Sequence, residues 1–270
     1  MLLTTTHKQR SSLQVLKDVV FALFIRELKT RFGAYRLGLI WAFLEPLTFI
    51  LLLTAIRSFR GSGSLFGGET HSIPFPIFFM LGYIPFQVFS KLLTQGAAAV
   101  NANQGLFNYR QVRPIDAIMA RILLEVLIFC SVLLLFMTVF WWFGFDATIA
   151  DPVKLALFFA LLCIFAGGIG MILCVGQMRV PELGKVIPLL TRPLFFISGL
   201  FFSLNDIPSQ YHHYLLWNPI LHAIELIRNA CYPSYNADSV SIGYLAFIAL
   251  VTVFFGLAMY RLDWKRMVAS

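Results

Sequence analysis

Charge is scarce in this chain. Of its 270 residues, 13% are Asp, Glu, Lys or Arg, while 59% are hydrophobic and 16% aromatic. A soluble globular domain carries nearer ~25% charge, so the composition excludes one, and the mean hydropathy of +0.79 agrees. The N-terminal MLLTTTHKQRSSLQ lacks the apolar core of a cleavable signal peptide, which leaves targeting to the first apolar span. Cysteine is also rare: Cys130, Cys163 and Cys174 fall in apolar runs and only Cys231 in a polar stretch, so no disulfide framework is available. A Walker A loop is missing. Its only Gly-Lys pair, Gly184-Lys185, has Arg179 where the first Gly belongs and no Ser or Thr after it. His212, His213 and His222 have no carboxylate or cysteine to complete a metal ligand set, and no nucleophile–base constellation stands out. A net charge of +8 would suit nucleic acid, but the basic residues are scattered between apolar runs, as membrane topology requires.

What is there is apolar length. Six segments hold the ~20 apolar residues that a spanning helix needs: about 37–56, 73–95, 122–144, 155–177, 186–204 and 240–260. The expected fold is therefore all-α and polytopic. Residues 1–36 form a cytoplasmic N-terminus with an interface helix, 37–260 a six-helix transmembrane domain, and 261–270 a tail. Leu16, Val20, Phe24, Leu28 and Phe32 recur every four residues between charges, the pattern of an amphipathic helix lying in the membrane surface. The stretch RELKTRFGAYRLGLIWAFLEP, Arg26 to Pro46, then turns from basic to apolar at Gly33 and Gly38. Six spans place both termini on one side. Sixteen Lys and Arg flank that side, against Arg57, Arg60, Lys154 and Arg228 on the other, which sets both termini in the cytoplasm.

Between spans, two segments stand out. Asn101–Ile115, NANQGLFNYRQVRPI, presents Phe107 and Tyr109 beside Arg110 and Arg113, an aromatic plug in a polar rim. It reads either as a docking surface or as a basic loop beside anionic lipid. Residues 205–239 contain IPSQYHHYLLWNPILHAIELI, too polar and broken to span. A pair of short helices dipping part-way into the membrane fits, broken at Asn218-Pro219 and surrounded by protein or a wet cavity. Tyr211, Tyr214, Trp217, Tyr232 and Tyr235 lie on it, as sugar-stacking rings or as an interfacial belt.

Charges within spans carry a functional expectation. Glu45 precedes Pro46 and reads as a structural or gating element, since a proton relay needs carboxylates at matched depth. Lys91 either snorkels to the cytoplasmic surface or lines a path for an anion. Glu125 and Arg192 lie near expected cytoplasmic ends, where snorkelling is inexpensive. Arg57, Arg60 and Arg228 serve an outer anion or contact lipid headgroups.

Four stretches together carry a family resemblance: RELKTRF…LGLIWAFLEPL at 26–47, NANQGLFNYRQVRPIDAIMARILLE at 101–125, FFISGLFFSLNDIP at 195–208 and WNPILHAIELIR at 217–228. The chain resembles the type-2 ABC exporter permeases over nearly its whole length. Among them it is most similar to the capsular-polysaccharide (KpsM-like) export permeases, with the O-antigen permeases next. The resemblance implies a permease without catalytic residues, cofactor or metal of its own, paired with a second copy of itself. Two copies of a separate KpsT-like ATP-binding subunit would hold ATP and Mg. Coupling would run through Glu27, Arg31, Phe107, Tyr109, Arg110 and Arg113, within a gate helix near Arg26–Arg36 and a coupling helix about 101–116. The broken outer segment would close the extracellular end. A lipid-linked acidic polysaccharide would pass along Trp41, Glu45, Lys91, Phe195, Phe201, Tyr211, Tyr214, Trp217 and Arg228. A periplasmic co-polymerase-like protein and an outer-membrane channel would carry it on from the inner membrane.

Rival readings remain at this level. They are an exporter of O-antigen, teichoic acid, another lipid-linked glycan or a drug on the same scaffold, a membrane-embedded enzyme, and an ion channel or proton-coupled carrier.

Overall fold

The computed structural model describes residues 11–33, 38–59, 69–70, 72–107, 109 and 111–269. Arg36, Arg60 and Arg110, each given a role by the sequence, lie outside the described residues. The chain is all-α, apart from Glu69–Thr70 paired antiparallel with Ile73–Pro74. Helix α1, Ser12–Phe32, starts at a capping box in which the Ser11 hydroxyl and the Gln14 side chain each bond the other residue's backbone N–H. Among its described side chains Leu23 is the most buried, with Val19 and Val20 packed beside it; of the four-residue repeat, Val20, Phe24, Leu28 and Phe32 are partly buried and Leu16 is exposed.

Among the described residues, five helices are long and apolar enough to cross a membrane. They belong to α2 (Gly38–Phe59), α3 (Phe75–Ala97), α4 (Pro114–Trp142), α5 (Pro152–Arg179) and α8 (Ile242–Ala269). The stretch expected as the fifth of six spans, 186–204, contains instead the end of α6, Leu183–Ile197, with only 15 residues. That is about 22 Å of helix against a hydrocarbon core of ~30 Å. Pro188 and Pro193 interrupt its hydrogen-bond ladder, and Gly199 then turns the chain at φ +78, a conformation that penalises any side chain. Past this turn come two short 3-10 helices, Leu204–Asp206 and Ser209–Tyr214, and then α7, Pro219–Cys231.

Helix α3 is the axis of the bundle. It packs on α4, α5 and α7, and nearly its whole circumference is buried. Helix α2 buries one stripe, Pro46, Ile50 and Thr54, stacks Phe49 on Phe79 and Tyr83 of α3, and leaves Trp41, Leu51, Leu52 and Ile56 exposed. The main core runs through α3, α4, α5 and α7. A second core at the end of the bundle that carries the α3–α4 connection gathers Leu23, Val100, Phe107, Ala117, Cys174 and Met267.

Candidate translocation face

Asn218 caps α7: its Oδ1 accepts the Ile220 N–H at 3.0 Å and its Nδ2 donates to Ser198 Oγ at 2.9 Å. One turn on, His222 Nδ1 accepts the Ser241 N–H at 3.0 Å, so Nε2 carries the proton and donates to the Leu216 carbonyl at 2.8 Å. Burial holds the imidazole below its ordinary value of 6.5, partly countered by the Leu216 bond.

Arg228 is fully buried, against the expectation of an exposed outer cation. Its guanidinium stacks on Phe78 at 3.5 Å from the ring centre. It donates to Glu225 Oε1 at 3.2 Å and to the carbonyls of Phe78, Leu200 and Phe202 at 3.2 to 3.4 Å. Two of those carbonyls belong to the turn after α6, whose backbone lacks helical partners; the arginine replaces them. Glu225 also accepts the Tyr235 hydroxyl at 2.7 Å, and burial raises its carboxyl despite Arg228. Gly82 makes room for this group: a Cβ there would lie 2.8 Å from the guanidinium. Tyr232 and Tyr235 are buried too, Tyr232 bonding the Asp146 carbonyl, so neither belongs to an exposed ring set. Tyr211, Tyr214 and Trp217 are exposed by half or more, and the Trp217 carbonyl accepts the Tyr244 hydroxyl at 2.7 Å.

Below this segment, Phe195 on α6 is the hub of an aromatic group. Its ring centre lies 5.3 Å from Phe201 and from Phe86, 5.9 Å from Phe49 and 6.4 Å from Tyr83. Beside it, Trp41, Glu45, Thr48, Phe49 and Leu52 line a concavity of about 500 Å³ on the exposed side of α2. Lys91 Nζ lies 3.8 Å from Glu45 Oε2, and Gln87 spans the gap between Glu45 and the Tyr83 hydroxyl. Neither residue is alone: Tyr83, Gln87 and Lys91 form a polar row at i, i+4, i+8 on one face of α3. That spacing was in the sequence, and it identifies Tyr83 and Gln87, which motif reading passed over.

At the end of the bundle holding the α3–α4 connection, α1 is tied to α4 by two ion pairs. Arg31 bonds Glu125, and Arg121 Nε donates to Glu27 Oε1 at 3.0 Å. Glu125 is 1% exposed; it does not snorkel but is matched by a charge from α1. Asn103, in the 3-10 helix Asn101–Leu106, donates to Glu27 at 2.9 Å and accepts from Arg26 at 2.5 Å. Burial alone would raise the Glu27 carboxyl, but the bonds from Arg121 and Asn103 outweigh it and hold it below its ordinary value. A cavity of about 190 Å³ lies between these groups, and Arg31 lines both it and the adjoining pocket that reaches Glu45 and Lys91. Phe107, expected as an exposed plug, is 6% exposed and belongs to the second core, where the turn after Leu106 directs it inward among residues of α1, α4, α5 and α8. Tyr109 is 66% exposed, and Arg113 is exposed at the foot of α4.

These features define a polytopic membrane protein in which α1 is bound to the α3–α4 connection and polar and aromatic groups meet between α2, α3 and α6. Residues 18–232 match the ABC-2 type transporter family. The chain is 46% identical over 261 residues to the polysialic acid transport protein KpsM of Escherichia coli, covering 97% of this chain and 99% of that one. It is 30% identical over 257 residues to the capsule polysaccharide export inner-membrane protein BexB of Haemophilus influenzae, covering 95% and 94%. The corresponding protein CtrC of Neisseria meningitidis is 29% identical over 254 residues, with 92% of each chain covered. The chain belongs to the ABC-2 type transporter family.

Proposed function

We propose that this chain is the membrane subunit of an ABC exporter that carries a lipid-linked acidic capsular polysaccharide across the bacterial inner membrane, driven by a separate ATPase. The observation carrying the reading is the polar row from the Glu45–Lys91 pair through Gln87 to Tyr83, which leads into the Phe195 aromatic group beside the open flank of α2. A polymer in transit needs many weak contacts that release. Aromatic rings offer sugar C–H faces a stacking surface, and paired cations can meet sugar carboxylates without trapping them. The face is open on α2, where 17% of the best apolar window is buried, so a second copy completes the wall.

Two copies of the chain stand above two ATPase subunits. ATP-driven closure moves the segment Asn101–Asp116 and the interface helix together, because Asn103 and Glu27 tie them. That movement repacks α2 and α6 around the path. The ATPase holds ATP and Mg; this chain supplies the path and its gates. A periplasmic co-polymerase-like protein and an outer-membrane channel take the polymer onward, and both termini lie in the cytoplasm.

The test is purification from the native host in mild detergent, followed by native mass spectrometry. The expected result is an ATPase in one-to-one ratio with this chain and a sugar-bearing lipid. A chain that purifies with neither removes the reading.

A further inference from the structure

Helix α8 continues past its apolar span, and its two sides there are different. Asp263 and Met267, one turn apart, face inward. The Arg179 guanidinium forks onto Asp263 at 3.0 and 2.8 Å, and Met267 is fully buried in the second core with Phe107. Tyr260 lies on that same face, partly buried against the second core, while Trp264 on its flank and Arg261 beyond it are exposed. With Tyr109 and Arg113 they line a cleft of about 580 Å³ whose floor includes Phe107.

The lining is cationic and aromatic. Arg113 and Arg261 are its charged residues and no carboxylate joins them among the described residues. The foot of α4, a helix of 29 residues, opens at Pro114 beside them, where the buried Asp116 accepts the Arg113 N–H at 2.9 Å and caps the helix start. Tyr109 at 66% and Trp264 at 44% exposure leave rings uncovered on the rim. A rim of Arg, Tyr and Trp is the composition in which binding energy concentrates at protein interfaces.

We propose that this cleft is the second half of the ATPase seat: an apolar side chain of the ATPase inserts between Tyr109 and Trp264, and ATPase carboxylates meet Arg113 and Arg261. The inference rests on the reading of Asn101–Asp116 as the ATPase-facing segment and adds the end of the last helix to it. Two observations favour a protein over a lipid headgroup. The cleft is continuous with that segment, and its α8 wall is clamped to the end of α5 by Arg179–Asp263, so it can bear a load. A stroke received here reaches α5 and α8 directly, not only α1 and α4.

The experiment co-expresses the permease with its cognate ATPase and measures their affinity and ratio in mild detergent. Tyr109→Ala with Arg113→Glu probes the loop side, Arg261→Glu with Trp264→Ala the helix side, and Leu262→Ala, 80% exposed beside the cleft, is the control. Both double variants are expected to weaken ATPase binding at least tenfold, with the control unchanged. If the loop variant loses the ATPase and the helix variant keeps it, the inference fails and the loop reading survives. If neither loses it, the loop reading itself fails. A photo-reactive benzoylphenylalanine in place of Trp264, in an otherwise unaltered chain, covers the case of a helix variant that does not fold. It should crosslink to the ATPase, and crosslinking only to phospholipid overturns the inference in favour of a lipid site.

Discussion

The two ends of the molecule each use a carboxylate–arginine pair, and they use it differently. At the end that carries α7, Glu225 and Arg228 sit three residues apart on one helix, both essentially without solvent. At the other end Arg31 and Glu125 come from helices 94 residues apart, the arginine is 30% exposed, and a cavity lies alongside. A dry pair whose cation also binds three carbonyls has no alternative partner, so it fastens the turn after α6 to α3 and α7. A wet pair between helices has one: Arg31 also lines the pocket holding Glu45 and Lys91. The Glu225–Arg228 pair suits a fixed fastening, and the Arg31–Glu125 pair suits a joint that can shift.

The largest effect should come from breaking the fixed end. Arg228→Met leaves Glu225 buried without a counter-charge, a loss of about 3–5 kcal/mol. Thermal melting and size-exclusion profiles should show loss of folded protein, and adding Glu225→Leu should restore most of it. If the single variant stays as stable as wild type, the Glu225–Arg228 pair is no fastening.

The end with Arg31 and Glu125 should instead lose function before structure. Arg31→Glu sets two carboxylates together and should abolish export; the swap Arg31→Glu with Glu125→Arg should recover part of it, since each charge keeps a partner. A folded swap with no recovery would show that Arg31 acts through Glu45 and not Glu125. Trp217→Ala should lower export several-fold while ATPase co-purification persists, because the ring is exposed and only its carbonyl is bonded. Lost assembly would assign Trp217 to packing.

The smallest effect concerns pH at the end that carries α7. His222 is neutral in the fold and its imidazole is held below 6.5, so its contribution is complete above that value and is lost as pH falls below it, where the unfolded chain takes up a proton first. Melting temperature should decline as pH falls below 6.5, and His222→Gln should flatten the slope. An equal slope in the variant would place the pH dependence elsewhere.

Much of this was legible in the chain. Composition and apolar length sufficed for an all-α membrane protein, since each span must satisfy its own backbone and so announces itself by length. Asn218-Pro219 marked the start of α7 because capping is a local interaction. The α6 region shows where such reading stops. Hydropathy counts residues from 186 to 204 as one apolar run, but two prolines and a left-handed Gly199 end the helix at Ile197, and Arg228 gathers the freed carbonyls from far along the chain. For Phe107 and Arg228 the residue type suggested a surface, and burial reversed it.

By itself the sequence determined the class of protein, the interruption at Asn218-Pro219 and the family, because composition, apolar length and local motifs are properties of neighbours along the chain. Only the tertiary structure decided which charges are paired, which aromatics are walls and which are core, and that the end of α8 meets the foot of α4. Apart from Glu225–Arg228, three residues apart on one helix, those depend on contacts between residues far apart in the chain, 94 positions for Arg31–Glu125 and 150 for Arg228 on the Phe78 carbonyl, which leave no spacing to read.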